Sequence, residues 1–461
     1  MTGGDRPLVV LDVVGLTPRL LPQMPALARL GEAGLTARLD TVFPAVTCTV
    51  QSTFLTGGLA RDHGIVGNGW YFRDLGEVLL WRQHNALVGG EKLWDAARRQ
   101  RPGARVANVC WWYAIGAATD MTVTPRPIYH ADGRKSPDCY TWPPELHAEL
   151  TSELGTFPLF QYWGPGAGLA SSRWIIGAAG RVLERRRPDV LLVYVPHLDY
   201  DLQRFGPDGP EAIAAAQALD RELAPFLDVV TAAGATTVVL SEYGITAAHR
   251  PIDINRALRR AGLLTVTTQG GMEYLDAPMS AAFALADHQV AHVYVRDPAE
   301  VATVRSIVAA IPGVAEVLDA EGKERLGVDH ERAGELVAIA EPDAWFTYYY
   351  WLDAARAPDF ARLVDIHRKP GYDPAELFMD PADRWVKVRA GAALARKAMG
   401  FRYLMNVVPL DPSIVRGSHG RLPDDPNDGP LFLSSERDAA PERVAAVDVK
   451  SVLLDLIGAG A

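Results

Sequence analysis

Short, unbroken apolar runs alternate with amphipathic stretches along most of the chain. Residues 7–14 (PLVVLDVV), 104–112, 189–195 (DVLLVYV) and 236–240 read as buried strands, with the near-continuous apolar pattern of a parallel sheet. Residues 37–42 add a further strand. Between these runs, residues 24–33, 89–100, 171–187 and 211–233 predict helices. Pro22 and Pro25 stand near the start of the first helix and Gly34 ends it. Such alternation predicts an α/β protein with a doubly wound, mostly parallel sheet flanked by helices.

Two stretches break the alternation. Residues 118–163 are rich in Pro, Tyr, Asp and Gly with little periodicity. They are expected to form a long excursion over a site mouth rather than sheet. Residues 290–296 alternate as a strand, 299–310 read as a helix and 313–318 as another strand, a small α+β excursion. Residues 335–340 return to the buried-strand pattern, 345–351 (WFTYYYW) pack or line a pocket, and 444–457 predict a closing helix. The expected organisation is a single domain over 1–461, with an inserted cap drawn from about 118–165 and 265–330.

Composition narrows the partners. A net charge of −10 over 461 residues argues against nucleic acid, which needs a basic face. The three cysteines, Cys48, Cys110 and Cys139, form no CxxC pair and suit a reducing compartment. The N-terminal apolar run is short, is interrupted by Asp12 and lacks a basic leader. No apolar run approaches the ~20 residues of a membrane span. The expectation is a cytoplasmic protein with no membrane and no nucleic-acid polymer as partner.

The chemistry-bearing residues sit where strands end. Asp12 lies near the end of the first strand, the place where open α/β sheets gather ligands, although a turn carboxylate would look the same. Residues 43–68 (FPAVTCTVQSTFLTGGLARDHGIVGN) carry Thr47 at a predicted helix start. Free N–H groups and the dipole there suit a developing phosphate oxyanion; a simple N-cap is the alternative. Cys48 is a rival nucleophile with no local base, and Asn68-Gly69 reads as a turn. His197, Asp199, Asp201 and Gln203 follow the 189–195 strand within seven residues. That group suits a divalent cation or a solvated acidic loop. Glu242 and Tyr243 follow the 236–240 strand, Asp365 and His367 stand two apart, and His419 lies between small residues in GSHG. No Ser-His-Asp order, P-loop or CxxC competes, so the pattern points to two-metal chemistry on a phosphorus ester.

These stretches carry a resemblance. LDVVG, FPAVT with LTGGLARDHGIVGN, PHLDYDLQRFGP, VVLSEYG and GSHG, in that order, resemble the nucleotide pyrophosphatase/phosphodiesterase branch of the alkaline phosphatase superfamily over nearly the whole chain. Phosphonoacetate hydrolase is a close cousin of that branch. The resemblance implies an alkaline-phosphatase-like fold. It makes Thr47 the nucleophile, Asn68 the phosphoryl-oxygen ligand, Asp12 and Thr47 ligands of one metal, and Asp199 and His419 ligands of the other. Three positions depart from the family pattern. Gln203 stands where the family has His, and Glu242 with Tyr243 stand where it has Asp-His. Oxygen donors at these positions shift the expectation from two Zn²⁺ towards Mg²⁺, Mn²⁺ or Ca²⁺, with Glu242 kept as a ligand. A replacement imidazole is expected from His197, His249 or His367, with His367 favoured. The implied activity is hydrolysis of a phosphodiester or nucleotide-like pyrophosphate, the partner being a small phosphorylated or phosphonate substrate. The alternatives are a phosphonate C–P hydrolase, a single-metal phosphomonoesterase or transferase, and a non-catalytic binder of a phosphorylated metabolite.

Overall fold

The structure, a computed structural model, describes residues 6–458. Its main sheet has nine strands: β1 Leu8–Val13, β2 Leu35–Asp40, β3 Val106–Val109, β4 Met121–Pro125, β5 Cys139–Trp142, β6 Val190–Val195, β7 Thr236–Leu240, β8 Leu431–Ser434 and β9 Arg443–Ala445. They lie side by side in the order β9-β2-β8-β7-β1-β6-β3-β4-β5. Strand β1 is central and pairs in parallel with β6 on one side and β7 on the other. Only β8 and β5 run against the rest. Every residue of β1, β6 and β7 is buried. Helices cover both faces of these strands, which is why their sequences are apolar throughout rather than alternating.

Several helices match the periodicity closely. They include α1 Thr47–Thr56, α2 Leu169–Arg186 and α4 Pro210–Ala232. The acidic stretch after β6 is helical as well, α3 His197–Phe205, and opens directly after Pro196. Other elements differ from the pattern reading. The 118–163 stretch is not purely an excursion, because β4 and β5 extend the sheet edge. Both strands are too short to show a period. The 104–112 strand ends at Val109 because Cys110 turns left-handed, with φ 70°. Strand β9 precedes the closing helix, which starts only at Val449.

Residues 282–340 build a second, four-stranded antiparallel sheet in the order Ala282–Asp287, Val290–Val295, Leu336–Ala340, Val314–Leu318. Its apolar core is separate and includes Tyr348, Tyr349, Tyr350 and Trp351. The hairpin joining its first two strands turns at Asp287-His288-Gln289. No helix among the described residues is long and apolar enough to cross a membrane.

One buried ion cluster fixes the 365–376 loop. Lys369 Nζ lies 2.7 Å from Asp373 and 2.7 Å from Glu376, all three fully enclosed. Glu376 also accepts from the Trp163 indole N–H at 2.6 Å and from the Asp365 backbone N–H at 3.0 Å. Removing one partner of such a cluster leaves buried charge uncompensated. Lys369→Ala is therefore expected to cost about 3–5 kcal/mol, read from urea unfolding. A loss under about 1 kcal/mol would mean that the loop is held by its aromatic contacts instead.

Candidate functional site

The three central strands deliver the site. Asp12 is the fifth residue of β1 and lies in register with Tyr194 of β6 and Leu240 of β7. Beyond β6, the chain bends through Pro196 and places Asp199 in the first turn of α3. Beyond β7 it passes Ser241, whose hydroxyl donates to Leu16 O at 2.6 Å and accepts from Leu431 N–H at 3.1 Å, then reaches Glu242 and Tyr243. His419 arrives from far along the chain. Its Gly417–Ser418 segment pairs antiparallel with Thr246–Ala247. Gly417 is required for that approach, since a Cβ there would sit 2.2 Å from Leu202 O of α3.

Thr47 is the first residue of α1, and Val46 is the N-cap. Its hydroxyl makes no capping bond and instead lies 2.7 Å from the Tyr243 hydroxyl. One turn on, Gln51 donates from Nε2 to Asp12 Oδ2 at 3.0 Å and accepts the Trp112 backbone N–H at 2.8 Å. Asn68 is gripped from two sides. Its Oδ1 accepts Cys48 N–H at 3.0 Å, while its backbone N–H and its Nδ2 donate to Asp287 at 2.7 and 3.0 Å.

The electrostatics favour a cation. Asp12 and Glu242 are fully buried neighbours, and Glu242 also faces Thr47 and Gln51. No Lys or Arg pairs with either carboxylate among the described residues. Asp12 Oδ1 and both Glu242 oxygens have no hydrogen-bond partner. Burial pushes Asp12 up to about 7, and burial plus repulsion by Asp12 pushes Glu242 well up. In the other half, burial pushes Asp199 up to about 6, with nearby His288 and the Gln203 amide pulling it back. His419 donates from Nδ1 to Ala45 O at 2.8 Å, which leaves the Nε2 lone pair free, 3.9 Å from Asp199 Oδ1. Burial holds this imidazole well below its usual pKa, hence neutral. Buried, unpartnered lone pairs on two carboxylates, and on a carboxylate with a neutral imidazole, fit divalent cations. Among the described residues, neither half brings three carboxylate or imidazole ligand atoms within 4.8 Å of one another. A third protein donor has to be the Thr47 hydroxyl in one half and the Gln203 amide in the other. Among the described residues, the group with three His, Cys, Asp or Glu donors within 4.8 Å is elsewhere, Asp138, Cys139 and His147 at the sheet edge.

The expected replacement imidazoles do not reach the cluster. His367, the favoured one, lies with its Nδ1 3.4 Å from Leu80 O and has Lys135, Arg82 and Asp365 as its charged neighbours. His249 is exposed beside Asp343, and His197 faces Asp201, Arg204 and Glu222. The imidazole that does arrive is His288, from the second sheet's hairpin. Its Nδ1 donates to Asp287 Oδ1 at 2.8 Å. Its ring stacks 3.7 Å from His419 on one side and 3.7 Å from Tyr372 on the other. Tyr243 stacks on His419 at 3.7 Å, so four rings form one column. Tyr372 donates its hydroxyl to Gln203 Oε1 at 2.9 Å. Trp81 closes this wall at 4.8 Å from Trp112 and 6.1 Å from Tyr372.

Backbone strain is concentrated at the same place. Of the five non-glycine residues with positive φ among those described, Trp81 and His288 belong to this wall, and Cys110 and Tyr113 lie within two residues of its Trp112 in the chain. Bulky residues persist there only when packing over-determines them, a feature of functional sites. Sequence reading missed His288, Asp287, Tyr372 and Gln51. A weak signal existed for two of them, because Asp-His interrupts an apolar hairpin at 282–295.

A model of the type I phosphodiesterase/nucleotide pyrophosphatase family matches residues 8–373, which include Asp12, Thr47, Asn68, Asp199 and Glu242. The fold is similar to that of phosphonoacetate hydrolase from Sinorhizobium meliloti 1021 solved with phosphonoformate, at 18% identity and TM-score 0.62, over 99% of this chain and 96% of that one. It is also similar to murine ectonucleotide pyrophosphatase/phosphodiesterase 5 solved with AMP, at 15% identity and TM-score 0.59, over 98% and 95% of the two chains. No curated protein sequence matches the chain. The structural likenesses establish an alkaline-phosphatase-like fold, and the family match covers most of the chain. The chain thus belongs to the type I phosphodiesterase/nucleotide pyrophosphatase family, enzymes that hydrolyse phosphorus ester bonds.

Proposed function

We propose that this enzyme hydrolyses a phosphodiester or a nucleotide-like pyrophosphate through Thr47. The observation that carries the reading is the Thr47 hydroxyl at the start of α1, beside two buried carboxylates that no lysine or arginine among the described residues neutralises. Asp12, Glu242 and Thr47 would hold one divalent cation, and Asp199 and His419 a second. Oxygen donors outnumber nitrogen, with one free imidazole nitrogen in the set, which favours Mg²⁺, Mn²⁺ or Ca²⁺ over Zn²⁺. Bound there, the cations would supply charge for the phosphoryl oxygens and acidity for the Thr47 hydroxyl.

The chain's own residues do the rest. The Tyr243 phenol, 2.7 Å away, holds Thr47 Oγ1 in place. Oγ1 attacks phosphorus in line, the bond to the leaving oxygen breaks, the leaving group takes up the proton that Oγ1 gives up, and a threonine-linked intermediate that keeps the substrate's other ester group forms. Water then attacks phosphorus and restores the threonine. Asn68 has one Nδ2 hydrogen committed to Asp287 and a second available for an equatorial phosphoryl oxygen. Because Asp287 and the Cys48 N–H hold the amide before substrate arrives, little reorganisation is needed at the transition state. The N-terminal dipole of α1 adds favourable potential at the same point.

Two measurements test this. Metal-stripped protein resupplied with Mg²⁺, Mn²⁺, Ca²⁺ or Zn²⁺ should release nitrophenol from bis-p-nitrophenyl phosphate. Thr47→Ala should lower kcat by about a thousandfold or more, and Asn68→Ala by about a hundredfold. Full turnover by Thr47→Ala would place the nucleophile elsewhere. The second measurement is thermal. The folded-state pKa values of Asp12 and Asp199 are raised above the unfolded value, so the unfolded chain releases these protons first as pH rises. The metal-free protein should therefore lose stability from about pH 4 to about pH 7 on account of these groups. Saturating Mn²⁺ should restore it, with a larger gain in Tm at about pH 8 than at about pH 5. A gain independent of pH would mean that Mn²⁺ binds away from these carboxylates.

A further inference from the structure

The chain carries a net charge of −10, yet residues 384–410 hold six basic side chains and no acidic one. Helix α5, Val386–Ala398, lies within this stretch. Its inner face is ordinary: Val386 and Ala390 pack with Val407 and Val408 in a small core of their own. The outer face is not. Trp385, Val388 and Leu394 are 57, 61 and 53% exposed, and Met399, Phe401 and Leu404 just beyond are 65, 58 and 69% exposed. Of the six cations, only Arg389 pairs with a carboxylate, Asp383; Arg384, Lys387, Arg396, Lys397 and Arg402 pair with none among the described residues. The patch continues onto the 128–163 stretch. Lys397 Nζ lies 4.6 Å from the half-exposed Phe160 ring, Arg402 lies against Gly133, and Ile128 and Tyr129 are exposed nearby in sequence.

A soluble helix turns polar residues outward. Here large apolar side chains and unpaired cations share the outer face, a combination that water rewards only in part. We infer that α5 and residues 399–404 form a docking surface for an anionic lipid bilayer, which takes the apolar side chains into its interface and pairs the cations with headgroups. At 13 residues, α5 is too short to span and would lie in the plane of the surface. Charge argues against a second copy seated symmetrically on the patch, since that arrangement would set these cations against themselves. The inference stands independently of the nucleophile and of the metals.

The test is co-sedimentation of the full chain with vesicles of phosphatidylcholine alone or mixed with phosphatidylglycerol, at low and high salt. Binding is expected only to the anionic vesicles and should weaken with salt. It should fall about tenfold or more in Leu394→Ser/Phe401→Ser/Leu404→Ser and in Lys387→Glu/Arg396→Glu/Lys397→Glu. Turnover of soluble bis-p-nitrophenyl phosphate should be unchanged in both variants, which shows that they fold. No pelleting with anionic vesicles, or equal binding by the variants, overturns the inference. So does a concentration-dependent dimer that the serine variant abolishes, because a second copy would then be the occupant.

Discussion

Asp12 and Glu242 sit next to each other in the interior with no lysine or arginine among the described residues to offset them. Two carboxylates enclosed in low dielectric strongly favour shedding charge, by protonation or by binding a cation. Much of the surrounding architecture keeps this arrangement in place. Strands β1 and β7 must be neighbours in parallel register so that both acids leave the sheet at the same edge. Strand β6 must flank β1 on its other side so that α3 begins there with Asp199. Gln51 must reach from α1 to Asp12, which ties the helix that Thr47 opens to the central strand. The arrangement costs stability in the metal-free chain, and the extensive apolar burial of the central strands is what can carry that cost.

The parts legible in sequence were those governed by local rules. Strands buried on both faces announce themselves as apolar runs, and long amphipathic helices by their period. Asp12 could be singled out because it lies near the end of such a run, Asp199 and Glu242 because each follows one, and Thr47 because it opens a helix. What escaped was set by contacts across great sequence distance. Asn68 and Asp287 are 219 positions apart, yet two hydrogen bonds join them. The Asp-His break in an apolar hairpin hints at His288, but nothing near it in the chain points to His419 as its partner. His367 stood out on local grounds, a carboxylate two residues away and a Gly-Pro turn after it, and that local pattern belongs to a loop held by the Lys369 cluster. Strands β4 and β5 escaped for a different reason, since strands of four or five residues at a sheet edge are too short for periodicity to register.

Tyr243 shows how a substitution at a ligand position can keep a site ordered. The resemblance places an imidazole there. A phenol brings no comparable ligand at neutral pH, and burial raises its pKa further. What it brings is reach. Its hydroxyl lies 2.7 Å from Thr47 Oγ1 while its ring lies flat on His419, so one side chain couples the threonine of one half-site to the imidazole of the other. His288 and Tyr372 extend the column, and Tyr372 returns to Gln203 on α3. Two of the three departing side chains, Tyr243 and Gln203, are therefore joined into one connected set that also contains a hairpin from the second sheet. Compensation of this kind needs residues that are distant in sequence to be packed together, which explains why the departures look isolated when read along the chain.

The charge distribution makes a related point about scale. A total of −10 describes the molecule as a whole, but a total conceals a 27-residue stretch with six basic and no acidic side chains. Screening limits the reach of surface charge to roughly 10 Å at ordinary salt, so an approaching surface responds to the patch and not to the sum. Inside the protein, where mobile ions do not screen, nearby groups act on one another more strongly still. Acids at the strand ends are felt there as a local excess of negative charge whatever the surface carries. Net charge constrains solubility and long-range encounter. The chemistry at each place follows from the few groups that share a Debye length.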